Sequence, residues 1–348
     1  MNNIPKQMNA ILMKANGDYD KLEYVTNYKT PTPKENEVLI EVKAAGINNT
    51  DINTRIAWYS KNDGDSSDAA WGGSSLIFPR IQGADVCGYI VDVGENVDKS
   101  RIGQRVLIEP SLQKVNGVQL EKPWYFGSEC DGGFAQYTTI SNEHAFKIDS
   151  SYSDIELASF PCSYSTAENL LTRSNVSKND TVLISGASGG VGSAAIQLSK
   201  ARGAKIIAIT SASKFDEIKK IGASQTISRS DDLVEVLGEN SVDVVIDLVA
   251  GETWGKFLDV LKPKGRYAVS GAIAGPIVEL DIRTLYLKDL SFFGCTILEE
   301  KIFPNLIKRI ENEEIKALVA KTYPLKDIVE AQKEFLTKKH IGKLVLEL

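Results

Sequence analysis

Thr181-Val-Leu-Ile-Ser185, followed at once by Gly186-Ala-Ser-Gly-Gly-Val-Gly192, is the stretch that decides the fold. The first five residues read as a buried strand. Glycines at 186, 189 and 192 form a turn spaced G-x-x-G-x-x-G. Val191, Ala194, Ala195 and Leu198 then recur at i, i+3, i+4 and i+7, one apolar face of a helix. Strand, glycine turn and helix in this order are the context in which such a motif binds a dinucleotide. The turn needs backbone freedom, the pyrophosphate needs close backbone approach, and Gly192 lets helix and strand pack tightly. Phosphates at the helix N-terminus meet free N–H groups and the positive end of the dipole. The competing reading is a glycine-rich turn that binds nothing; the βα units that follow weigh against it.

Downstream, Lys205–Thr210 reads as a strand, then come a helix carrying Phe215 and Ile218 and a short strand at Gln225–Ile227. Val242–Leu248, a helix with Trp254, Phe257 and Leu258, and strands at Arg266–Ser270 and Leu290–Cys295 continue the alternation. Such alternation is the signature of a parallel sheet covered on both faces. Upstream, to about Ile148, short strands are separated by Gly, Pro and Asn turns. Glu37–Lys43 alternates as a half-buried strand does, and Ala84–Gly94 and Arg105–Ile108 read as further strands. The polar segment Tyr59–Ser75, with Gly64, Gly72 and Gly73, reads as a loop able to cover a cleft. From Leu298 the alternation stops. Two amphipathic helices (Ile302–Ile310 and Asp327–Leu336) precede a last strand, Lys343–Leu348, which needs a sheet to join and is expected to return to the first domain. The expected class is α/β, with a β-rich domain from residues 1–154 and 298–348 and a doubly wound parallel sheet over 155–297.

The second strand says which dinucleotide. A site for NAD carries Asp or Glu about 20 residues past the glycines, on the ribose hydroxyls. Here that position falls among Thr210-Ser-Ala-Ser-Lys214, which holds no acid. A carboxylate would repel a 2′-phosphate, whereas Ser211 and Lys214 hydrogen-bond and neutralise one. Arg229, after the next strand, is a candidate second cation. Lys214 as a solvated first-turn lysine is the alternative reading. The expected cofactor is NADPH.

Composition narrows the partners. The chain has 348 residues, 43% hydrophobic and 25% charged, with a net charge of -6, the balance of a folded two-domain protein without the basic footprint of a nucleic-acid binder. No apolar run reaches the roughly 18 residues of a membrane helix, and Met1–Gly17 lacks the pattern of a signal peptide. Cys87, Cys130, Cys162 and Cys295 are scattered, and His144 and His340 are the only histidines. Reduced thiols, a cytoplasmic setting and no metal are expected.

On these residues the sequence resembles the medium-chain dehydrogenase/reductase superfamily, and within it the zinc-free quinone oxidoreductase branch. The blocks are Ala45-Gly-Ile-Asn-Asn-Thr-Asp-Ile-Asn-Thr-Arg55, Gln82-Gly-Ala-Asp-Val-Cys-Gly-Tyr-Ile-Val-Asp-Val-Gly94, Gly132-Gly-Phe-Ala-Gln136, Ser165-Thr-Ala167 and the Gly186–Gly192 loop, in the family's order. The resemblance implies a GroES-like catalytic domain built from both chain ends around a central Rossmann domain, with the active site in the cleft. Zinc members hold their metal with a Cys in the first block, a His-Glu pair in the second and a later Cys or acid. Here Asn48 and Ala84-Asp85 stand instead, and Cys162 remains; Asp85 and Cys162 are conceivable ligands, short of the three a catalytic zinc requires.

By the same resemblance Asn48 lies beside the nicotinamide, Tyr59 is the candidate proton donor, and Arg55 matches a frequent Arg between them; Asp51 belongs to the same block. Asn53 stands where the branch usually has a second Tyr. Asn48 and Asp51 also suit an ordinary turn, and Tyr59 also fits an exposed loop aromatic. Further cofactor contacts implied are Thr166, Ser188, Gly189, Gly190, Val191, Leu248, Val249, Ser270, Gly271, Ala272 and Gly294. The expected activity is NADPH-dependent hydride transfer to a quinone, enone or similar activated alkene. The alternatives are a carbonyl reductase of small aldehydes or ketones and a non-catalytic NADPH-binding redox sensor. A homodimer paired through Leu290–Cys295 is implied as well.

Overall fold

The computed structural model describes residues 4–61 and 68–348, divided between two compact units, 1–162 with 317–348 and 163–316. Gly64 of the expected loop lies outside the described residues. In the first unit, β1 (Gln7–Met13) and β2 (Leu22–Lys29) form an antiparallel hairpin. The long strand β3 (Glu37–Gly46) pairs antiparallel with β4 (Cys87–Val93), which pairs with β5 (Arg105–Ile108). β6 (Ser111–Val115) and β7 (Val118–Tyr125) make a separate hairpin, β8 (Tyr137–Ser141) lies on β3, and β9 (Ala145–Lys147) closes the β5 edge. Glu37–Lys43 was expected to be half-buried. From Ile40 to Ala44 it is: Glu41 and Lys43 are partly exposed between buried Ile40, Val42 and Ala44, while on the same side as Glu41 the residues Glu37 and Leu39 are buried as well. Beside β9, His144 gives one ring nitrogen to Glu109 and the other to the Lys114 carbonyl, each at 2.8 Å.

The second unit holds six parallel strands: β10 (Thr181–Ile184), β11 (Lys205–Thr210), β12 (Gln225–Ser228), β13 (Val242–Asp247), β14 (Leu261–Val269) and β15 (Ser291–Gly294). Their spatial order is β12-β11-β10-β13-β14-β15, the doubly wound 3-2-1-4-5-6 arrangement of a Rossmann sheet. It reverses direction between β10 and β13, and ligands bind at such a switch point. The helix after β10, Gly190–Ala201, buries Ala194, Ala195 and Leu198 as the periodicity predicts. Gly192 sits so close to the turn that a Cβ there would stand 2.3 Å from the Gly186 carbonyl oxygen.

The chain then returns to the first unit. β16 (Val319–Pro324) pairs parallel with β17 (Lys343–Glu347), and β17 pairs antiparallel with β3. The joints fall at 162/163 and 316/317, not at the expected 154/155 and 297/298. The helix Ile302–Glu311 accounts for the second shift. It buries Phe303, Leu306 and Ile310, its Arg309 lies 3.5 Å from Glu168, and Gln197 accepts the Lys316 N–H at 2.8 Å. These contacts all fall within the second unit.

Candidate active site

Three adjacent strands of the first unit end at one place. The β17–β3 register pairs Val345 with Gly46, and Ile47 donates to the Leu344 carbonyl at 2.9 Å, so the ladder carries on to set Lys343 opposite Asn48. On the other side of β3, Gly46 donates to the Asp85 carbonyl at 3.3 Å. Gly46 has no side chain for a reason: a Cβ would lie 2.6 Å from Asp85 Oδ2. Asp85 is thereby free to meet Lys343 Nζ at 2.6 Å and Asn48 Nδ2 at 2.9 Å, while its other oxygen accepts the Cys162 backbone N–H at 2.5 Å. Lys343 also donates to Asn48 Oδ1. The Asn48 amide is therefore braced at both ends, with a second N–H in a long 3.4 Å contact to the Gly46 carbonyl.

Asn48 caps the short helix Asn49–Arg55. Asp51 accepts the Asn48 backbone N–H at 2.7 Å. Burial pushes the Asp51 carboxyl up to about 7, against the lowering effect of that hydrogen bond and of Lys343. Tyr59 is half-buried and donates to Thr50 Oγ1 at 3.1 Å; burial pushes its phenol up to about 12. Cys162 lies 3.0 Å from the Tyr125 hydroxyl, and the Tyr125 ring packs 4.9 Å from that of Trp71. Burial, with Asp85 adjacent, raises the Cys162 thiol to about 12.

Asn48, Asp51 and Tyr59 are thus brought together; Arg55 is not. It leaves the same helix toward the Gly17 carbonyl at 2.7 Å and Gln332 Oε1 at 3.2 Å, with its guanidinium 4.4 Å from the Tyr19 ring centroid. Its role there is to tie the Gly17 turn to a C-terminal helix. Sequence reasoning missed Lys343 and Tyr125 as site residues. A signal for Lys343 existed: a lysine directly before the apolar run Leu344–Leu346.

In the second unit the glycine turn has the conformation its spacing requires. Gly186 has φ +58, a left-handed value that favours glycine, and Gly189 is the helix N-cap. Ser188, Gly190 and Val191 are partly exposed at that helix start. Lys214 Nζ reaches back to Ser188 Oγ at 3.2 Å. Thr210 pairs with Ser228 across β11 and β12, so Ser211 and Arg229 follow neighbouring strand ends. Lys214 is largely buried; burial lowers its proton affinity, the nearby Glu217 works against that, and Arg229 lowers it again.

The β13 end is organised by Asp247, another residue missed. Fully buried, it accepts from Ser185 Oγ (2.5 Å), Tyr267 Oη (2.6 Å) and the Val249 N–H (2.9 Å), while Leu248 donates to Ser185 Oγ at 2.8 Å. Leu248 and Val249 are fixed beside the glycine turn in this way. Ser270 donates to the Asp247 carbonyl at 3.3 Å, and a Cβ on Gly271 would press to 2.9 Å of the Leu248 carbonyl. Ala272 follows. Gly294 pairs with Val269 and its carbonyl accepts from Arg173. Thr166 is partly exposed between buried Ser165 and Ala167.

Residues 34–150 match the alcohol dehydrogenase GroES-like domain, and residues 190–312 match a domain described as zinc-binding dehydrogenase. A solved structure of a putative alcohol dehydrogenase from Sinorhizobium meliloti is 41% identical, with a TM-score of 0.92 over 100% of this chain and 98% of that one. The chain is a medium-chain dehydrogenase/reductase. Human quinone oxidoreductase is 26% identical, over 99% of this chain and 98% of its own length. Acryloyl-coenzyme A reductase of Sulfurisphaera tokodaii is 28% identical, over 98% and 100%.

Zinc-binding relatives make the donor set of this medium-chain dehydrogenase/reductase worth testing. A catalytic zinc takes deprotonated Cys, neutral His or carboxylate ligands. Asn48 is committed to Lys343 and Asp85, Ala84 has no donor atom, and Cys162 is engaged with the Tyr125 hydroxyl. An ammonium 2.6 Å from Asp85 competes directly with any cation there. Among the described residues, no three His, Cys, Asp or Glu side chains group to hold a metal. These residues do not fit a zinc ion.

Proposed function

We propose that this enzyme is a zinc-independent, NADPH-dependent reductase acting on a quinone, enone or similar activated alkene. The observation that carries the reading is the set of side chains at the β11 and β12 ends. Ser211, Lys214 and Arg229 gather there, Lys214 reaches the glycine turn through Ser188, and Ser211–Lys214 holds no carboxylate. That chemistry favours a 2′-phosphate over bare ribose hydroxyls.

When bound, the nicotinamide supplies the hydride. The chain's own residues do the rest. The Gly186–Gly190 turn and the helix start after Gly189 offer backbone N–H groups to the pyrophosphate. Tyr59, with its phenol at about 12, keeps its proton through neutral pH and donates to an acceptor oxygen as negative charge grows on it. Asn48 offers its loosely held second N–H. Trp71 and Tyr125 give the acceptor side an apolar aromatic wall. Support for the acceptor class comes from the relatives named quinone oxidoreductase and acryloyl-coenzyme A reductase, two conjugated acceptors.

In this reading the enzyme is a cytoplasmic homodimer. Its second unit exposes Ile277, Ile282, Tyr286 and Leu287 close in sequence to the sheet-edge strand β15, an apolar surface of the kind that a partner covers. No helix among the described residues is long and apolar enough to cross a membrane.

The test is fluorescence titration of chelator-treated protein with NADPH and NADH, then addition of a quinone, an enone and an aldehyde while cofactor oxidation is followed. NADPH preference with chelator-resistant turnover of the quinone or enone is expected. Turnover of the aldehyde alone replaces the reading with a carbonyl reductase; tight binding without any turnover replaces it with a sensor.

A further inference from the structure

The strand-end cluster contains a cation that the site, as described so far, leaves without a task. Lys343 is 2% exposed, and an ammonium taken out of water costs several kcal/mol unless its surroundings compensate. Asp85 and Asn48 do compensate it. Yet a buried pair is weak evidence of stabilisation, because apolar residues of the same volume often serve as well.

What the pair does impose is an orientation. Lys343 has only donors and the Asp85 carboxylate only accepts. An amide between them has one satisfactory setting, with Oδ1 toward Lys343 and Nδ2 toward Asp85. The flipped amide would press an NH2 group against an ammonium and an oxygen against a carboxylate. With one Nδ2 hydrogen fixed on Asp85, the other is directed along a defined line, where it now meets only the distant Gly46 carbonyl at 3.4 Å. The clamp is built into the sheet itself, since Lys343 stands opposite Asn48 in the β17–β3 ladder and Gly46 clears the space for Asp85. Gly342, with φ +80 and a Leu318 carbonyl oxygen 2.2 Å from where a Cβ would be, sets the turn that delivers Lys343.

We propose that Lys343 is a positioning residue of this reductase: with Asp85 it locks the Asn48 amide so that its second N–H is preset for the acceptor oxygen, an alignment made by a resident side-chain cation instead of a metal. This rests on the reductase reading given above. The lock is a local property of the first unit and is observable without turnover.

The experiment combines kinetics with NMR of protein labelled with 15N-asparagine, the Asn48 side-chain amide being assigned by its loss in Asn48→Ser. Wild-type protein is expected to show Asn48 Nδ2 protons that exchange slowly with solvent and a side-chain 15N relaxation as rigid as the backbone. In Lys343→Met the protons are expected to exchange fast and the side-chain 15N to relax as a mobile group, with kcat down about 10- to 100-fold and the dissociation constant of NADPH unchanged. Lys343→Arg is expected to recover part of kcat. If Lys343→Met fails to fold, Asp85→Asn/Lys343→Met removes both charges together. That double variant is expected to fold with a mobile amide and low kcat. Full turnover in either methionine variant, or an Asn48 side chain that is mobile by 15N relaxation and exchanges fast in the wild type, overturns the proposal. A wild type that binds NADPH but reduces nothing sinks the reductase reading instead, while the amide signals still decide whether Lys343 sets the orientation of Asn48.

Discussion

Replacing Lys214 by alanine should weaken NADPH and spare NADH. Lys214 Nζ already sits 3.2 Å from Ser188 Oγ, with the side chain largely withdrawn from water and both Glu217, which raises its proton affinity, and Arg229, which lowers it, close by. Much of the cost of ordering and desolvating the cation is therefore met before the cofactor arrives. A unit charge about 4 Å away at an effective dielectric of about 20 contributes on the order of 4 kcal/mol, and competing water and salt reduce this toward the 1.5–3 kcal/mol or so of a charge-assisted hydrogen bond. At about 2 kcal/mol, Lys214→Ala raises the NADPH dissociation constant about 30-fold. NADH, lacking the phosphate, should change by less than about threefold. Fluorescence titration at fixed, low ionic strength measures both, and the NADPH effect should shrink as salt is added. Lys214→Gln keeps a hydrogen bond to Ser188 without the charge, separating loss of the cation from loss of turn structure. Equal losses for both cofactors, or no loss for NADPH, would refute the assignment of the 2′-phosphate to this cluster.

Other expectations follow from the same geometry. Tyr59→Phe removes the donor held by Thr50 and should lower kcat by about 100-fold with NADPH affinity intact, checked by steady-state rates beside titration. Asp51 binds its proton more tightly folded than unfolded, its value rising from 3.8 to about 7 through burial. Stability should therefore fall as pH rises across that interval, and urea midpoints of Asp51→Asn should lose that slope. His144 is also raised: burial works against its charge, but Glu109 and the Lys114 carbonyl outweigh it. The stability it contributes is complete below the ordinary histidine value of 6.5 and is lost as pH climbs through the folded one; His144→Gln should flatten the melting temperature across that higher window. Gly192→Ala sets a methyl 2.3 Å from the Gly186 oxygen and should cost about 1–3 kcal/mol, read from urea unfolding, with cofactor affinity falling alongside.

Some of this was legible in the sequence because its signals are local. The Gly186–Gly192 spacing, the strand before it and the helix after it form one continuous stretch, Thr181–Ala201, and Ser211–Lys214 declares its missing acid without any knowledge of neighbours. β11 runs from Lys205 to Thr210, the strand expected there. The acceptor side was only half legible. Asn48, Asp51 and Tyr59 share one block and do converge. Arg55 shares it too, yet the helical turn carries its guanidinium away to Gly17 and Gln332. Lys343 was invisible as a partner because its meaning depends on a strand register joining residues 295 positions apart. Asp247 looked like any strand-end acid until Ser185 and Tyr267 were seen to converge on it. In β3 the alternation held at Glu41 and Lys43 but did not show that Glu37 and Leu39, on the same side, are buried.

The placement of β17 bears on how the enzyme comes into being on the ribosome. Residues 163–316 are one uninterrupted stretch, so the parallel sheet has all its strands as soon as that stretch has emerged. The other sheet has to wait. β3 and β4 are made early, but the strand that completes their edge is synthesised only after the whole intervening unit. Until then the growing chain carries the Ala44–Gly46 end of β3 without its β17 partner and Asp85 without its cation, an arrangement open to mispairing and costly to bury. Vectorial synthesis thus ripens the two halves at different times: the cofactor fold can mature while the catalytic fold is still short of its last strand.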